Sequence, residues 1–179
     1  MNGPPHITPA TPADAPEIAA IYAHHVLHGT ASFETVPPDA AEIAARMRKV
    51  LDAGWPWLIA RDTGGEAVGY AYAAQFNARA AYRYACENSI YLRHDRLGQG
   101  IGTRLLAALL DACERSGFRQ VIAGIAGSEP ASLALHARAG FVEVARLKSV
   151  GRKHGRWLDV LYLQRALGAG DATPPPEEP

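Results

Sequence analysis

The 179-residue chain has only two cysteines, Cys86 and Cys113, and equal numbers of basic and acidic side chains, 18 of each. Two cysteines in apolar segments do not make a disulfide framework, so we expect a reducing compartment, the cytoplasm. A net charge of zero gives no general attraction to nucleic acid or to an anionic membrane. No apolar run approaches the ~18 residues that span a bilayer, and the first residues lack the pattern of a secretory signal. We therefore expect a soluble protein with no nucleic-acid partner and no membrane partner.

Proline is scarce in the middle of the chain, where Pro56 and Pro130 are the only prolines between residues 39 and 173. The length is about 1.2 times a typical domain of about 150 residues, which favours one domain. We place this domain at residues 7–167, after an N-terminal extension at residues 1–6. Residues 168–179, rich in proline and glutamate, lack apolar side chains that could pack, and they are predicted to form a disordered tail.

Hydrophobic periodicity predicts the element order β-α-α-β-β-β-α-β-α-β-β. The predicted helices are Ala15 to Leu27, capped by Asp14, then Pro38 to Ala53, Thr103 to Ser116 and Pro130 to Ala139. After a first short strand, the other predicted strands are WPWLIAR, EAVGYAYAAQF, ACENSIYLR, QVIAGIA, FVEVARL and WLDVLYLQR. This order predicts an α/β (α+β) fold, a mixed sheet with helices on both faces.

The most specific local signal is GQGIG at residues 98–102, which ends a predicted strand and opens a predicted helix. Glycine lets the backbone approach a ligand, and the first amides of a helix favour a phosphate. The loop is neither a dinucleotide fingerprint nor a nucleoside triphosphatase loop, because Thr103 follows Gly102 and no Lys-Ser/Thr pair comes after it. It predicts a pyrophosphate site, and the alternative is a tight strand-to-helix turn.

Four stretches in order carry a family resemblance: IYAHHVLHGTASFET, FNARAAYRYACENSIYLRHDRLGQGIGTRLL, SEPASLALHARAGF and VGRKHGRWLDVLYLQRAL. Together they resemble the GCN5-related N-acetyltransferase (GNAT) superfamily, and within it the phosphinothricin and methionine sulfoximine acetyltransferase group. The resemblance implies a mostly antiparallel, twisted sheet and acetyl-CoA as cosubstrate, without a metal. It also implies a small-molecule amine as acceptor and a homodimer.

The same resemblance implies which residues bind the coenzyme. Backbone groups of Ile90, Tyr91 and Leu92 are expected along the pantetheine arm. The pyrophosphate is expected at Gly98, Gln99, Gly100, Ile101, Gly102 and Thr103. Two positions depart from the family pattern: Leu97 stands where a polar residue is usual, with Arg96 as a possible substitute. Glu129 stands where the subfamily has Asn, three residues before Ser132, and both are included in the expected coenzyme site.

Two residues are expected to carry the chemistry. An α-amine has a pKa of about 8 and arrives mostly protonated, so acetyl transfer needs a base. Glu87 in ENSIY matches the subfamily glutamate, and the alternative is a solvated carboxylate on a strand face. His136 stands where the wider superfamily has a tyrosine proposed as general acid. It could protonate the leaving thiolate or only hydrogen-bond its sulfur, or it could be structural. Cys86 should point away from Glu87 into the core.

Four residues match substrate-facing segments of the subfamily: Phe33, Glu34, Arg79 and Tyr82. Arg79 suits a carboxylate because its guanidinium group binds it bidentately, and the alternative is a surface arginine. His24, His25 and His28 lack a third ligand with local support, so no metal site is expected. The basic residues Arg146, Lys148, Arg152, Lys153 and Arg156 could meet a partner or the outer phosphate of the coenzyme, or form a solvated hairpin edge.

Three functions remain open from the sequence. The first is acetyl transfer to the amine of a small amino-acid-like compound. The second, in the same fold, is acetylation of protein N-termini or lysines, which the segments around Phe33 and Arg79 disfavour. The third is a coenzyme-binding module without catalysis, motivated by Leu97 and Glu129.

Overall fold

The computed structural model describes residues 3–127, 129–175 and 177. These residues form a seven-stranded sheet in the order β1-β2-β3-β4-β5-β7-β6, with four α-helices packed on it. The strands are β1 His6–Pro9, β2 Trp57–Arg61, β3 Ala67–Gln75, β4 Ala85–Leu92, β5 Gln120–Ala126, β6 Val142–Lys153 and β7 Arg156–Ala166. The helices are α1 Ala15–His28, α2 Ala40–Asp52, α3 Ile101–Arg115 and α4 Pro130–Arg138. Each neighbouring strand pair is antiparallel except β4–β5, which is parallel. The predicted fold class is confirmed.

Apolar side chains bury against both faces of the sheet. On one face α3 packs over the middle strands, and Leu105, Leu109 and Val121 are fully buried there. On the other face α1 and α2 pack over β2 and β3. Cys86 lies in the first core beside Cys113, and both are buried thiols. The prediction that Cys86 packs in the core is confirmed.

Two local predictions are wrong in detail. Asp14 is the residue before α1, but its carboxylate does not cap the helix. It accepts instead from the Thr11 amide at 2.7 Å and from the Arg61 guanidinium at 2.6 Å. The cap appears on α2, where the Asp39 side chain accepts from the Glu42 amide at 2.8 Å. A carboxylate within reach of an arginine forms a charge-assisted bond that competes with a helix amide.

Strand β6 is much longer than the predicted FVEVARL. It runs to Lys153 and keeps its pairing with β7 through two register irregularities, between Glu143 and Ala145 and between Leu147 and Gly151. β6 is an edge strand, and its residues from Val142 to Val150 are exposed. An exposed edge has no buried face, so its sequence does not alternate in the way that reveals a strand.

The segment after β7 contacts the body of the domain, although the sequence predicts a disordered tail at 168–179. Gly170 is buried, and its carbonyl accepts from Arg119 at 3.2 Å. Arg119 also donates to the Thr173 carbonyl at 2.5 Å, and Arg83 pairs with Glu177 at 3.1 Å. Part of this segment thus contacts the domain, and the disordered tail at 168–179 stays a prediction. Residues 1, 2, 128, 176, 178 and 179 lie outside the described residues, and the limits of the domain stay a prediction.

Candidate active site

The parallel strands β4 and β5 separate shortly after they meet. Their pairing covers Ala85 with Gln120, Cys86 with Val121 and Glu87 with Ile122, although β4 continues to Leu92 and β5 to Ala126. Beyond Glu87 the two strands leave an opening in the sheet. A cleft of ≈ 440 Å³ lies at this opening, with Asn88, Gly124, His136 and Tyr162 among its lining residues.

The opening exposes backbone groups on one edge of β4. Arg93 donates to Val68 and Ala85 accepts from Phe76, so the odd-numbered residues of β4 direct their backbone groups to β3. Alternation then directs the backbone groups of Asn88, Ile90 and Leu92 towards β5. The Leu92 carbonyl contacts His25 Nε2 at 2.7 Å. Ile90 lies three residues beyond the last β4–β5 pair, so among the described residues no β5 residue pairs with its backbone on the cleft side.

This alternation corrects part of the expected coenzyme site. Tyr91 pairs with Tyr70 of β3, so its backbone groups belong to the sheet. Its side chain lies in the cleft wall instead, packed edge-on against Tyr22 with ring centroids 5.0 Å apart. The backbone groups of Ile90 lie along the open edge of β4. Of the two Leu92 backbone groups, the carbonyl contacts His25, which leaves the amide for a ligand. The physical reason is that successive residues of a strand face opposite sides in backbone as well as side chain.

Glu87 lies where β4 and β5 part, on the sheet face that α1 and α2 cover. Its carboxylate lines the cleft, and burial raises its pKa above the usual value. A raised pKa brings a carboxylate closer to the operating range of a general base. Glu87 is therefore a partly buried carboxylate in a cleft, not a solvated residue on an open strand face.

Gly124 of β5 makes room for that carboxylate. A methyl group at Gly124 would stand 3.0 Å from Glu87 Oε1 and 3.5 Å from the Tyr162 ring. A contact of 3.0 Å is shorter than ordinary van der Waals separations, so any larger residue would displace the carboxylate or the strand. The absence of a side chain at Gly124 is thus part of how Glu87 is placed.

Asn88 and His136 form a buried pair on the opposite face of the sheet. His136 is 2% exposed, and its Nδ1 lies 2.9 Å from the Ser132 carbonyl while its Nε2 lies 3.0 Å from Asn88 Nδ2. A carbonyl only accepts, so Nδ1 carries the proton and Nε2 accepts from the Asn88 amide. Burial lowers the pKa of His136, against the opposing effect of the Ser132 carbonyl. A neutral ring with both nitrogens engaged has no proton to give a thiolate, so this arrangement does not support His136 as a general acid.

The loop between α1 and α2 forms the opposite wall of the cleft and includes Phe33 and Glu34. Glu34 accepts from Arg46 at 2.6 Å and from the Tyr22 hydroxyl at 3.0 Å. Burial alone would raise the pKa of Glu34, but these hydrogen bonds outweigh it and lower the pKa. Glu34 is therefore a paired carboxylate in the cleft wall, held by Arg46 and Tyr22. Phe33 is more exposed and packs on Gly151 of β6, where a Cβ would have no space.

Arg79 and Tyr82 do not line this cleft. They lie in and beside the short 3₁₀ segment Ala80–Tyr82, which connects β3 to β4 at the same end of the sheet as Glu87. Both side chains are exposed, and the Tyr82 ring lies 6.0 Å from that of Phe76. The structure therefore places Arg79 and Tyr82 outside the lining of the cleft that contains Glu87.

Two glycines of the loop at residues 98–102 have left-handed backbone geometry. Gly98 and Gly100 have φ of 73° and 75°, in the region that favours glycine, and Gly100 is the residue before α3. The Arg104 amide makes the first helical bond, to the Gly100 carbonyl, which leaves the amides of Ile101, Gly102 and Thr103 at the helix start. Leu97 is 59% exposed. Arg96 pairs with Asp62 at 2.9 Å, so it does not replace the missing polar residue as an uncommitted cation.

Glu129 and Ser132 both line the cleft near the start of α4. The Thr30 hydroxyl donates to Glu129 Oε1 at 2.6 Å, which joins the wall loop to the start of α4. The Ser132 carbonyl is engaged with His136. Sequence reasoning missed Asn88, Gly124, Tyr162 and Thr30. Asn88 is the one it could have found, because Asn beside Glu in a buried strand needs a partner.

Neither a metal-ligand cluster nor a membrane-spanning helix is found among the described residues. Within residues 3–127, 129–175 and 177, no three His, Cys, Asp or Glu side chains are placed to hold a metal ion. His24 instead stacks on His94 with ring centroids 3.9 Å apart. The helices of this described part are too short or too polar to cross a membrane.

The mixed sheet parts between two parallel strands, with the partly buried carboxylate of Glu87 at the parting and a glycine loop after the same strand. These features are typical of an enzyme that transfers a group from a phosphate-bearing donor. The chain belongs to the GNAT acetyltransferase family: residues 7–162 match the family model described as "Acetyltransferase (GNAT) domain".

Two relatives and one solved structure are similar to this chain over most of its length. A phosphinothricin N-acetyltransferase of Alcaligenes faecalis is 53% identical over 163 residues, covering 90% of this chain and 82% of the relative. An L-methionine sulfoximine/L-methionine sulfone acetyltransferase of Pseudomonas aeruginosa PAO1 is 36% identical, covering 90% of this chain and 94% of the relative. A crystal structure of a phosphinothricin acetyltransferase from Sinorhizobium meliloti, in complex with acetyl-CoA, superposes with a TM-score of 0.95 at 44% identity. That alignment covers 98% of this chain and 95% of the other.

Proposed function

We propose that this enzyme transfers the acetyl group of acetyl-CoA to the amine of a small amino-acid-like acceptor. Phosphinothricin, methionine sulfoximine and methionine sulfone are the acceptor types that the names of its relatives suggest. The observation that carries the proposal is the position of Glu87, a partly buried carboxylate at the point where β4 and β5 separate. An acetyl donor in the opening and an amine beside Glu87 would meet there.

The coenzyme would bind along β4 and the start of α3. The Ile90 backbone groups would hydrogen-bond the pantetheine arm, as a missing strand partner would. The glycine loop, Gly98 to Thr103, would bind the pyrophosphate with backbone amides and the positive end of the α3 dipole. Backbone amides do not depend on residue identity, so binding should survive Leu97 and the pairing of Arg96 with Asp62.

The reaction would be a direct transfer. Glu87 takes a proton from the acceptor ammonium group, directly or through one water, and the neutral amine attacks the thioester carbon. The C–N bond forms, the C–S bond breaks and the thiolate leaves. The amine loses two protons in all: one ends on the thiol and the other reaches solvent. His136, with both ring nitrogens engaged, would act by positioning Asn88 rather than by proton donation.

The acceptor would lie between Glu87 and the wall formed by Phe33 and Glu34. Arg79 and Tyr82 would reach it from the loop between β3 and β4, with the Arg79 guanidinium group on the α-carboxylate. Binding of the carboxylate at a fixed site would orient the amine towards Glu87.

We also propose a homodimer in the cytoplasm. The hairpin of β6 and β7 exposes Val144, Val150 and Trp157, which are 53%, 53% and 65% exposed. Val144 and Val150 lie on the edge strand β6, and Trp157 lies on the neighbouring β7. Exposed apolar residues at a sheet edge are typical of an interaction surface. Two buried free thiols suit a reducing compartment.

A thiol-release assay tests the proposal. The acceptors are phosphinothricin, methionine sulfoximine, methionine sulfone, the common amino acids and an alanine-initiated peptide. We expect acetylation of one of the free amino-acid analogues at the highest specificity constant. Preference for the peptide would favour a protein N-acetyltransferase. Coenzyme A binding by calorimetry without turnover of any acceptor would indicate a binding module.

A further inference from the structure

One buried side-chain atom of a cleft-lining residue has no hydrogen-bond partner among the described residues. Asn88 is 6% exposed and lines the cleft, and its Oδ1 is buried without a hydrogen bond. A buried amide oxygen without a donor has lost its hydrogen bonds to water and gained none in return, so such atoms are rare unless a ligand satisfies them.

The orientation of the Asn88 amide is fixed by its neighbour. The Ser132 carbonyl accepts a hydrogen bond from the Nδ1–H of His136, so Nε2 must accept, and only the amino group of Asn88 can donate to it. That leaves Oδ1 as the free end of the amide. The orphan atom is thus an acceptor, and the group that satisfies it must be a donor.

The position of Asn88 limits which ligand group can be that donor. Asn88 lies two residues before Ile90, and its side chain is on the face of β4 opposite Glu87. The acceptor amine is expected on the Glu87 face. A thioester has no N–H or O–H, and the nearest donor along an acyl-coenzyme A is the cysteamine amide N–H.

The geometry points to Asn88 as a coenzyme-positioning residue: its Oδ1 accepts the cysteamine amide N–H of the pantetheine arm, and His136 orients the amide for this contact. The inference rests on the proposed function, since it requires an acyl-coenzyme A donor. In this arrangement Asn88 and His136 align the thioester from one face of β4, and Glu87 takes the proton of the acceptor amine on the other face.

The test is a double-mutant cycle between protein and ligand. Coenzyme A is compared with an analogue whose cysteamine amide N–H is replaced by an ester oxygen, on the wild type and on Asn88→Leu. The wild type should bind coenzyme A about tenfold or more tightly than the ester, since the ester leaves the buried oxygen unpaired. Asn88→Leu should bind both about equally. Adenosine 3′,5′-bisphosphate, which lacks the arm, should bind both proteins within about twofold.

Two further variants complete the test. Gln164→Met is the control: it removes a side-chain amide on β7 that lies outside the cleft and donates to Gln120 Oε1 at 2.9 Å. This variant should keep the preference for coenzyme A. His136→Phe should reduce that preference without abolishing binding of adenosine 3′,5′-bisphosphate. If the wild type binds coenzyme A and the ester analogue equally, the inference is wrong, whether or not Asn88→Leu folds. Failure of the wild type to bind coenzyme A at all would instead refute the proposed function.

Discussion

The adjacent residues Glu87 and Asn88 lie on opposite faces of β4, in surroundings that differ in charge and hydrogen bonding. On the face covered by α1 and α2, Glu87 has a raised pKa because burial is not offset by a charged partner. On the face covered by α4, Asn88 and His136 form a neutral network fixed by the Ser132 carbonyl. The raised pKa of Glu87 favours a carboxyl group that can exchange its proton, whereas the two hydrogen bonds of His136 hold its ring in one neutral form.

This difference follows from the parting of the strands. A carboxylate at the edge of an opening loses part of its solvent but keeps access to a ligand, which raises its pKa without making it inert. A histidine behind the sheet loses nearly all its solvent and stays neutral. Proton transfer and donor alignment can therefore be separated by single substitutions, and the predictions below separate them.

The largest effect is expected from Glu87→Gln. Removal of a general base typically costs about 10²- to 10⁴-fold, so kcat should fall by that range while the coenzyme Kd changes little. Steady-state kinetics and calorimetry measure the two quantities. Glu143→Gln, on exposed β6, is the matched control and should keep full activity. A kcat loss under threefold between pH 6 and 9 would assign Glu87 to structure.

Arg79→Ala tests the loop between β3 and β4. If Arg79 binds the acceptor carboxylate, esterifying the acceptor lowers the wild-type kcat/KM by about 30-fold, and the variant loses most of this discrimination. Arg83→Ala, in the same loop but paired with Glu177, is the comparison variant and should keep the discrimination. Equal use of acid and ester by the wild type would contradict a carboxylate site.

Gly100→Val tests the phosphate loop. The residue has φ of 75°, so valine is strained there, and its side chain would lie where the pyrophosphate approaches. Coenzyme A affinity should fall by about tenfold or more. Gly54 has φ of 76° and equally open surroundings after α2, so Gly54→Val carries the same backbone strain away from the cleft. The loop has no role in binding if both variants keep wild-type affinity.

The smallest effect concerns stability. The pKa of Glu87 is raised in the folded state from its usual 4.5, so the wild type loses stability as pH rises through that folded pKa. Glu87→Gln does not titrate, and it should have the higher free energy of unfolding at pH 7. The advantage should vanish at pH 4, where both side chains are neutral. Urea unfolding at the two pH values measures it, and an advantage that is equal at both would exclude the linkage.

The sequence predicted most of the fold because buried elements carry their own periodicity. Helix α3 presents Leu105, Leu106 and Leu109 at helical spacing, and β5 alternates around Val121 and Ala123. Strand β6 was underestimated because an exposed edge has no such pattern. The interactions of the Asp14 carboxylate depend on Arg61, which is 47 residues away in the sequence.

The candidate site was predicted less completely. Glu87 and the glycine loop are local motifs, so their residues could be named in advance. Gly124 and Thr30 matter through contacts with Glu87 and Glu129, on elements distant in the chain. The engaged state of His136 could not be predicted either, because it depends on a carbonyl and an amide that only the fold brings to it.

The most direct test is a crystal structure of the enzyme with coenzyme A and the N-acetylated acceptor. We predict that the pantetheine arm lies in the opening between β4 and β5, with its cysteamine amide on Asn88. The acetylated nitrogen should lie within hydrogen-bond reach of Glu87, directly or through one water. Coenzyme A bound outside the opening, or a product nitrogen remote from Glu87, would contradict it.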